Sequence, residues 1–345
     1  MESGFKVTSI FAPEHGFGIN LPAGKNINDT STSYDSIRIY SLYGKTKKPT
    51  KEMLKNIDVL IYDIQDLGVR FYTYISTLFY VLQSAAENNI PVYILDRPDP
   101  LNGITINGPV LKDDQRSFVG IAPLPIRYGM TPGELALYYA GERLLGKKLN
   151  PDITVVKMKG WKRDYFFDHY SSKWTKTSPN IPDFETALVY PGTCLIEGTN
   201  VSEGRGTLHP FLTIGAPFIN SADLINKLKQ IGIEGVELLP VKFTPVPIKG
   251  MAEEPKYKNE ECNGISIKVV NRRKFHSIEF GIKLVYCLKE LYPEKFKMTD
   301  YFDKLTGDIS VRLAILSGTK PDKIFGSWKN DLNKFKQIRK KYLLY

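Results

Sequence analysis

Val59-Leu60-Ile61-Tyr62-Asp63-Ile64-Gln65-Asp66 decides the fold. Four consecutive apolar residues running into acids read as a strand buried on both faces, with polar groups at its carboxyl end. Downstream, Ile75, Leu78, Leu82 and Ala86 recur at helical spacing and predict a helix over residues 74–88, which Asn88-Asn89 ends. Residues 91–95 repeat the apolar strand pattern, and residues 7–11, upstream, are also β-like. Strand, helix and strand in that order argue for parallel strands joined by right-handed crossovers, hence an α/β domain.

Further along, Thr131-Pro132-Gly133-Glu134 reads as a capping box with proline at the first helical position. Residues 153–156 form another β run, and an aromatic, proline-rich stretch follows from 161 to 183. Ala187-Leu188-Val189-Tyr190 then leads into a glycine-rich loop. Beyond about residue 210 the pattern changes to a smaller α+β domain. Ser221 is placed to cap a helix, short strands are expected at 241–244 and 264–270, and helices at 278–291, 311–316 and after Trp328. The expected division is a parallel-sheet catalytic domain at 1–208 and an auxiliary α+β domain at 209–345.

The chain has 345 residues and a formal charge of +10, enough length for a substantial core and enough charge to ask about acidic partners. Lysine and arginine are dispersed, except for Lys334, Lys336, Arg339, Lys340 and Lys341, so nucleic acid is not an expected partner. A solvated lysine-rich surface accounts for most of the charge, and bacterial cell wall is an anionic alternative. No apolar run approaches the roughly 20 residues that span a bilayer. The first residues lack the basic start and apolar stretch of an export signal. The cysteines, Cys194, Cys262 and Cys287, are far apart and odd in number, which suits buried small hydrophobes better than a disulfide framework or zinc ribbon.

Ligands of open parallel sheets bind beyond the carboxyl ends of the strands. Three expected strands end in acids: one at Pro13-Glu14-His15-Gly16, one at Asp63 to Asp66, one at Asp96-Arg97-Pro98-Asp99. Side by side, these strands would gather Glu14, Asp63, Asp66 and Asp96 around one crevice, as acid–base catalysis requires. The competing reading is that each acid caps a following helix, or that Asp96 pairs with Arg97. Gly16 permits a sharp turn that exposes Glu14 and His15. Arg70 is placed to clamp a carboxylate, and Tyr72 to stack on a sugar or to fill the core. The loop from Glu197 to Thr207 concentrates Asn200, Glu203 and Arg205 among three glycines, which let a backbone approach a ligand closely. The glycine fingerprint of dinucleotide sites, the phosphate loop, the zincin motif and the nucleophile elbow are all absent, so neither a cofactor nor a metal is expected.

These strings resemble a known family. Phe11-Ala12-Pro13-Glu14-His15-Gly16-Phe17, the run from Asp63 to Tyr74, Leu95-Asp96-Arg97-Pro98 and the run from Gly129 to Ala136 are similar to the exo-β-N-acetylmuramidases of the NamZ family. So are Ser178 to Pro182, Tyr190-Pro191-Gly192, and the Glu197 loop ending in His209-Pro210-Phe211. The resemblance implies a Rossmann-like domain followed by a smaller one with a cleft between them. It also implies release of terminal N-acetylmuramic acid from the non-reducing end of peptidoglycan fragments, in a family whose members are often exported. Glu14 is then the leading catalytic acid, protonating the leaving oxygen. The second group stays open among Asp63, Asp66, Glu197, Glu203 and the substrate's own acetamido group. Arg70 or Arg205 would pair with the lactyl carboxylate that distinguishes muramic acid from glucosamine. The family normally has a strand–helix unit before the Pro13-Glu14 strand, so an exposed apolar edge is expected beside residues 7–11. Two other readings are a non-catalytic wall-glycan binder and a metal-dependent hydrolase using Glu14, His15 and Asp63.

Overall fold

The computed structural model describes residues 4, 6–18, 33–34 and 37–345. Its strands and helices run in the order β1 (Ser9–Ala12), β2 (Ser33–Tyr34), β3 (Ile37–Ser41), β4 (Leu60–Tyr62), α1 (Tyr74–Asn88), β5 (Val92–Leu95), β6 (Asn107–Val110), β7 (Pro125–Arg127), α2 (Pro132–Gly141) and β8 (Ile153–Val156). The second half continues with α3 (Phe184–Thr193), β9 (Thr213–Ala216), α4 (Ser221–Ile231), β10 (Val236–Phe243), β11 (Cys262–Val269), α5 (Ser277–Leu291), α6 (Asp300–Thr306), α7 (Ile309–Leu316), α8 (Pro321–Ser327) and α9 (Lys329–Arg339).

β4, β5 and β8 form a parallel sheet in that spatial order, with Leu60 opposite Val92 and Val92 opposite Ile153. α1 and α2 both pack on its inner face, where Tyr62, Val92 and Ile94 meet Ile75, Leu78, Leu135 and Tyr139 in one core. The left-handed Asn89 ends α1. Thr131 and Glu134 close the expected capping box on α2. The opposite face is not covered by described residues: Ile61 is 65% exposed, and Tyr93, Leu95 and Val156 are exposed beside it. The expectation of a β4 strand buried on both faces is therefore corrected, because both crossover helices settle on one side.

β1 does not join that sheet. It pairs in parallel with β3, and β3 pairs antiparallel with β2. Among the described residues no strand pairs with the other edge of β1, and Val7 just before it is 48% exposed. The C-terminal half builds an antiparallel sheet, β10-β11-β9, backed by α4 and α5. α4 is capped by Asn220, whose side chain accepts from Ala222 and Asp223 N–H; Ser221 is the first helical residue rather than the cap.

α3 runs on through Pro191 and Gly192, where the sequence reads as entering a glycine-rich loop. Gly192 is there for packing. A Cβ on it would lie 1.7 Å from the Ser277 carbonyl oxygen, so only glycine lets α3 and α5 approach this closely. The second core continues from these helices to Leu67, Val69, Phe71 and Tyr72. The segment between β4 and α1 is thus drawn away from its own sheet and into the C-terminal core, which brings the two halves of the chain together at one cavity.

Candidate active site

The cavity has a volume of about 460 Å3, within the usual range for small-molecule sites. Among the described residues, seven segments distant in sequence line it. Glu14 and His15 come from the turn after β1, Tyr43 and Lys47 from the loop after β3, and Phe71, Tyr72 and Thr73 from the entry to α1. Phe118 adds an aromatic wall, and the far side is built by Tyr190, Cys194, Glu197, Arg205, Phe211 and Tyr301.

Glu14 sits on a tight turn. Gly16 N–H donates to Pro13 O at 3.0 Å, and His15 and Gly16 both have left-handed φ values, 73° and 74°. That conformation is uncommon for a histidine and marks a turn held by its surroundings. The turn leaves Glu14 only 8% exposed while lining the cavity. Thr73 Oγ1 donates to Glu14 Oε2 at 2.6 Å and so fixes the carboxyl group from the α1 side.

Among the described residues, Glu197 is the other carboxylate on the cavity wall. Arg205 donates to its Oε1 at 2.7 Å, and the Arg205 Nε lies 3.4 Å from Glu203. The guanidinium also stacks 5.2 Å over Phe211. Its pKa is raised above the ordinary arginine value by the two glutamates, which outweigh the cost of burial. Glu203 itself is buried behind the wall and has Lys256 Nζ at 3.0 Å. Lys256 also donates to the carbonyls of Ile196, Glu197 and Val201, tying the loop down.

Of the residues singled out in the sequence, Glu14, His15, Tyr72, Glu197 and Arg205 meet at this cavity. Glu203 stands one layer behind. The others lie elsewhere, for physical reasons. Asp63 is at the surface, ion-paired to Arg97 at 2.6 Å, so the Arg97 guanidinium serves Asp63, while its backbone N–H donates to Asp96 Oδ1 at 3.0 Å. Asp96 caps α2, accepting from Thr131 Oγ1 and Gly133 N–H, both at 2.7 Å. Arg70 is fully buried and donates to the carbonyls of Pro109, Leu124 and Leu305, each at 2.8 Å. A substrate carboxylate at Arg70 would have to displace all three. Asn200 holds its loop to the 295–297 turn through Lys295 O and Lys297 N–H. Asp66 does not line the cavity; it is buried, accepts from Gly68 N–H and Tyr128 Oη, and burial pushes its pKa up to about 6. Burial likewise pushes Asp99 up to about 7. Only one of the three expected strand tips therefore reaches the cavity, because β1 belongs to a different sheet from β4 and β5.

Sequence reasoning missed Tyr43, Lys47, Phe118, Cys194 and Tyr301. None stands in a periodic or glycine-rich string that singles it out. Among the described residues no group of three histidine, cysteine or acidic side chains is arranged to hold a metal ion, and no helix is long and apolar enough to cross a membrane.

Comparison with known proteins gives the family and the fold. The family model for exo-β-N-acetylmuramidase NamZ, N-terminal, matches residues 1–185, and that for its C-terminal part matches residues 188–345. The chain is 44% identical to peptidoglycan β-N-acetylmuramidase NamZ of Bacillus subtilis (strain 168), over 99% of this chain and 80% of that protein. Two crystal structures of DUF1343 family proteins from Bacteroides fragilis share the fold. One has a TM-score of 0.86 at 33% identity, covering 98% of this chain and 86% of that one. The other has a TM-score of 0.76 at 34% identity, covering 99% and 86%. With both halves matched in order along nearly all of its length, the chain belongs to the exo-β-N-acetylmuramidase NamZ family.

Proposed function

We propose that this chain is an exo-acting glycosidase that removes N-acetylmuramic acid from the non-reducing end of peptidoglycan fragments, with Glu14 as general acid and Glu197 as the second carboxylate. The observation that carries the roles is the presence of Glu14 and Glu197, far apart in sequence, on the wall of one cavity. Glycoside hydrolysis passes through a transition state with positive charge on the sugar ring and needs one group to protonate the leaving oxygen and another facing the anomeric carbon. Thr73 orients the Glu14 carboxyl group from one side. Arg205 holds Glu197 in place, leaving it to stabilise the charged ring or to guide the attacking water. Phe71 and Tyr72 supply apolar surface for the sugar. The catalytic half in this reading runs to residue 208, since the loop bearing Glu197 and Arg205 completes the site.

The test uses a chromogenic aryl β-N-acetylmuramide. Glu14→Gln is expected to lower turnover at least about a thousandfold, in line with loss of acid catalysis, while the melting temperature stays within about 2 °C. Glu197→Gln is expected to behave similarly. Full activity in Glu14→Gln removes this residue from the chemistry. Saturable binding of the glycan with no turnover in the unaltered protein would make the chain a binder, and loss of activity with chelator would make it a metal-dependent hydrolase.

A further inference from the structure

We propose that Lys47, and neither arginine suggested by the sequence, recognises the carboxylate of the lactyl ether and so sets selectivity for muramic acid over N-acetylglucosamine. This rests on the glycosidase reading above and names the residue that reads the substrate's charge.

The basic side chains at the cavity differ in whether they are free to bind. Lys47 and Arg205 are the lysine and arginine side chains on the cavity wall among the described residues. Arg205 is already held by Glu197 and Glu203 and stacked on Phe211. Using it on a substrate would strip a counter-ion from two poorly exposed carboxylates, which is costly. Arg70 is walled off and committed to three carbonyls.

Lys47 differs in each respect. It is exposed, and it makes no ion pair with a described residue, whereas its neighbour Lys48 is bound to Glu87 at 2.6 Å. What places its ammonium group is a ring: Nζ lies 4.7 Å from the centroid of Phe118. Phe118 is fixed in turn by stacking on Tyr80, with centroids 6.3 Å apart and planes 12° apart, and by Tyr43 at 5.8 Å. A ring face attracts a cation without saturating its N–H donors. The ammonium is therefore held at the cavity wall with donors to spare. N-acetylglucosamine offers it no anion. N-acetylmuramic acid offers one on the lactyl arm at C3, and the bound sugar would exclude water from the contact, strengthening it.

The experiment measures binding and turnover in parallel. Binding of N-acetylmuramic acid and of its neutral lactyl methylamide is measured by calorimetry on the unaltered protein, Lys47→Ala and Lys47→Arg. The unaltered protein is expected to prefer the acid about tenfold. That preference falls to near one in Lys47→Ala, returns in Lys47→Arg, and weakens with added salt. Affinity for the methylamide is expected to change less than about twofold. An unchanged preference in Lys47→Ala, or equal losses on both ligands, overturns the inference whether or not the protein turns over substrate. A Lys47-dependent preference without turnover of the aryl glycoside leaves the inference standing and overturns the glycosidase reading alone.

Discussion

Thr73 Oγ1 donates a 2.6 Å hydrogen bond to Glu14 Oε2, and this bond joins the turn after β1 to the start of α1 across two different sheets. Glu14 thereby has its orientation set by a residue 59 positions away.

Thr73 acts on the reaction through Glu14 and is a positioning residue. Thr73→Val keeps the shape and removes the donor. It is expected to lower kcat about 10- to 100-fold with KM nearly unchanged, while Thr73→Ser keeps most of the activity. Steady-state kinetics on the aryl glycoside check this. A rise in KM with unchanged kcat would place Thr73 in substrate binding instead.

Arg205 holds together a poorly exposed ion network rather than waiting for ligand. Removing it in Arg205→Leu leaves Glu197 and Glu203 without their shared cation. Breaking one partner out of a buried pair typically costs about 3–5 kcal/mol, and a loss of that order is expected in urea denaturation. Arg205→Lys is expected to recover part of it, since an ammonium cannot reproduce the fork that reaches two carboxylates and stacks on a ring. A midpoint unchanged in Arg205→Leu would show that the network contributes nothing to stability.

Asp66 supplies a pH dependence. Its folded-state pKa is pushed up to about 6, first by burial and against the pull of Tyr128 and the Gly68 and Leu67 N–H groups. A raised acid favours the folded state only while protonated, so its contribution is full below about pH 4 and is lost as pH rises through 6. Asp66→Asn cannot ionise. The variant is expected to gain on the unaltered protein by about 2–3 kcal/mol between pH 4 and pH 7.5. Denaturation at the two pH values checks it, and a difference that is flat or shrinks on the alkaline side would contradict the assigned burial cost.

Much of the local architecture is legible without coordinates. The helical spacing of Ile75, Leu78 and Leu82 and the reciprocal cap of Thr131 and Glu134 are made within a few residues, so they can be read from those residues alone. Short-range signals also mislead where a residue serves a distant neighbour. The stretch after Tyr190 reads as a loop, yet Gly192 sits inside α3, where the Ser277 carbonyl needs the space. Ile61 reads as buried on both faces, yet nothing described covers it.

By itself the sequence determined the α/β class, the main strands and helices, the sharp turn at Glu14 and the family, whereas burial of Glu14 and His15, expected to be exposed by that turn, came with the fold. Only the tertiary structure decided which charged groups meet. Asp63, Asp96 and Arg70 stand in strings as distinctive as that of Glu14, but each is taken up by a partner more than 30 residues away: Arg97, the cap of α2, and the carbonyl of Leu305. Lys47, Phe118 and Tyr301 carry no local signal and reach the cavity because separate segments fold onto it. The physical reason is range. Backbone periodicity and capping act over a few residues, whereas the partner of a buried charge is chosen by whichever polar groups the completed core brings within about 3 Å.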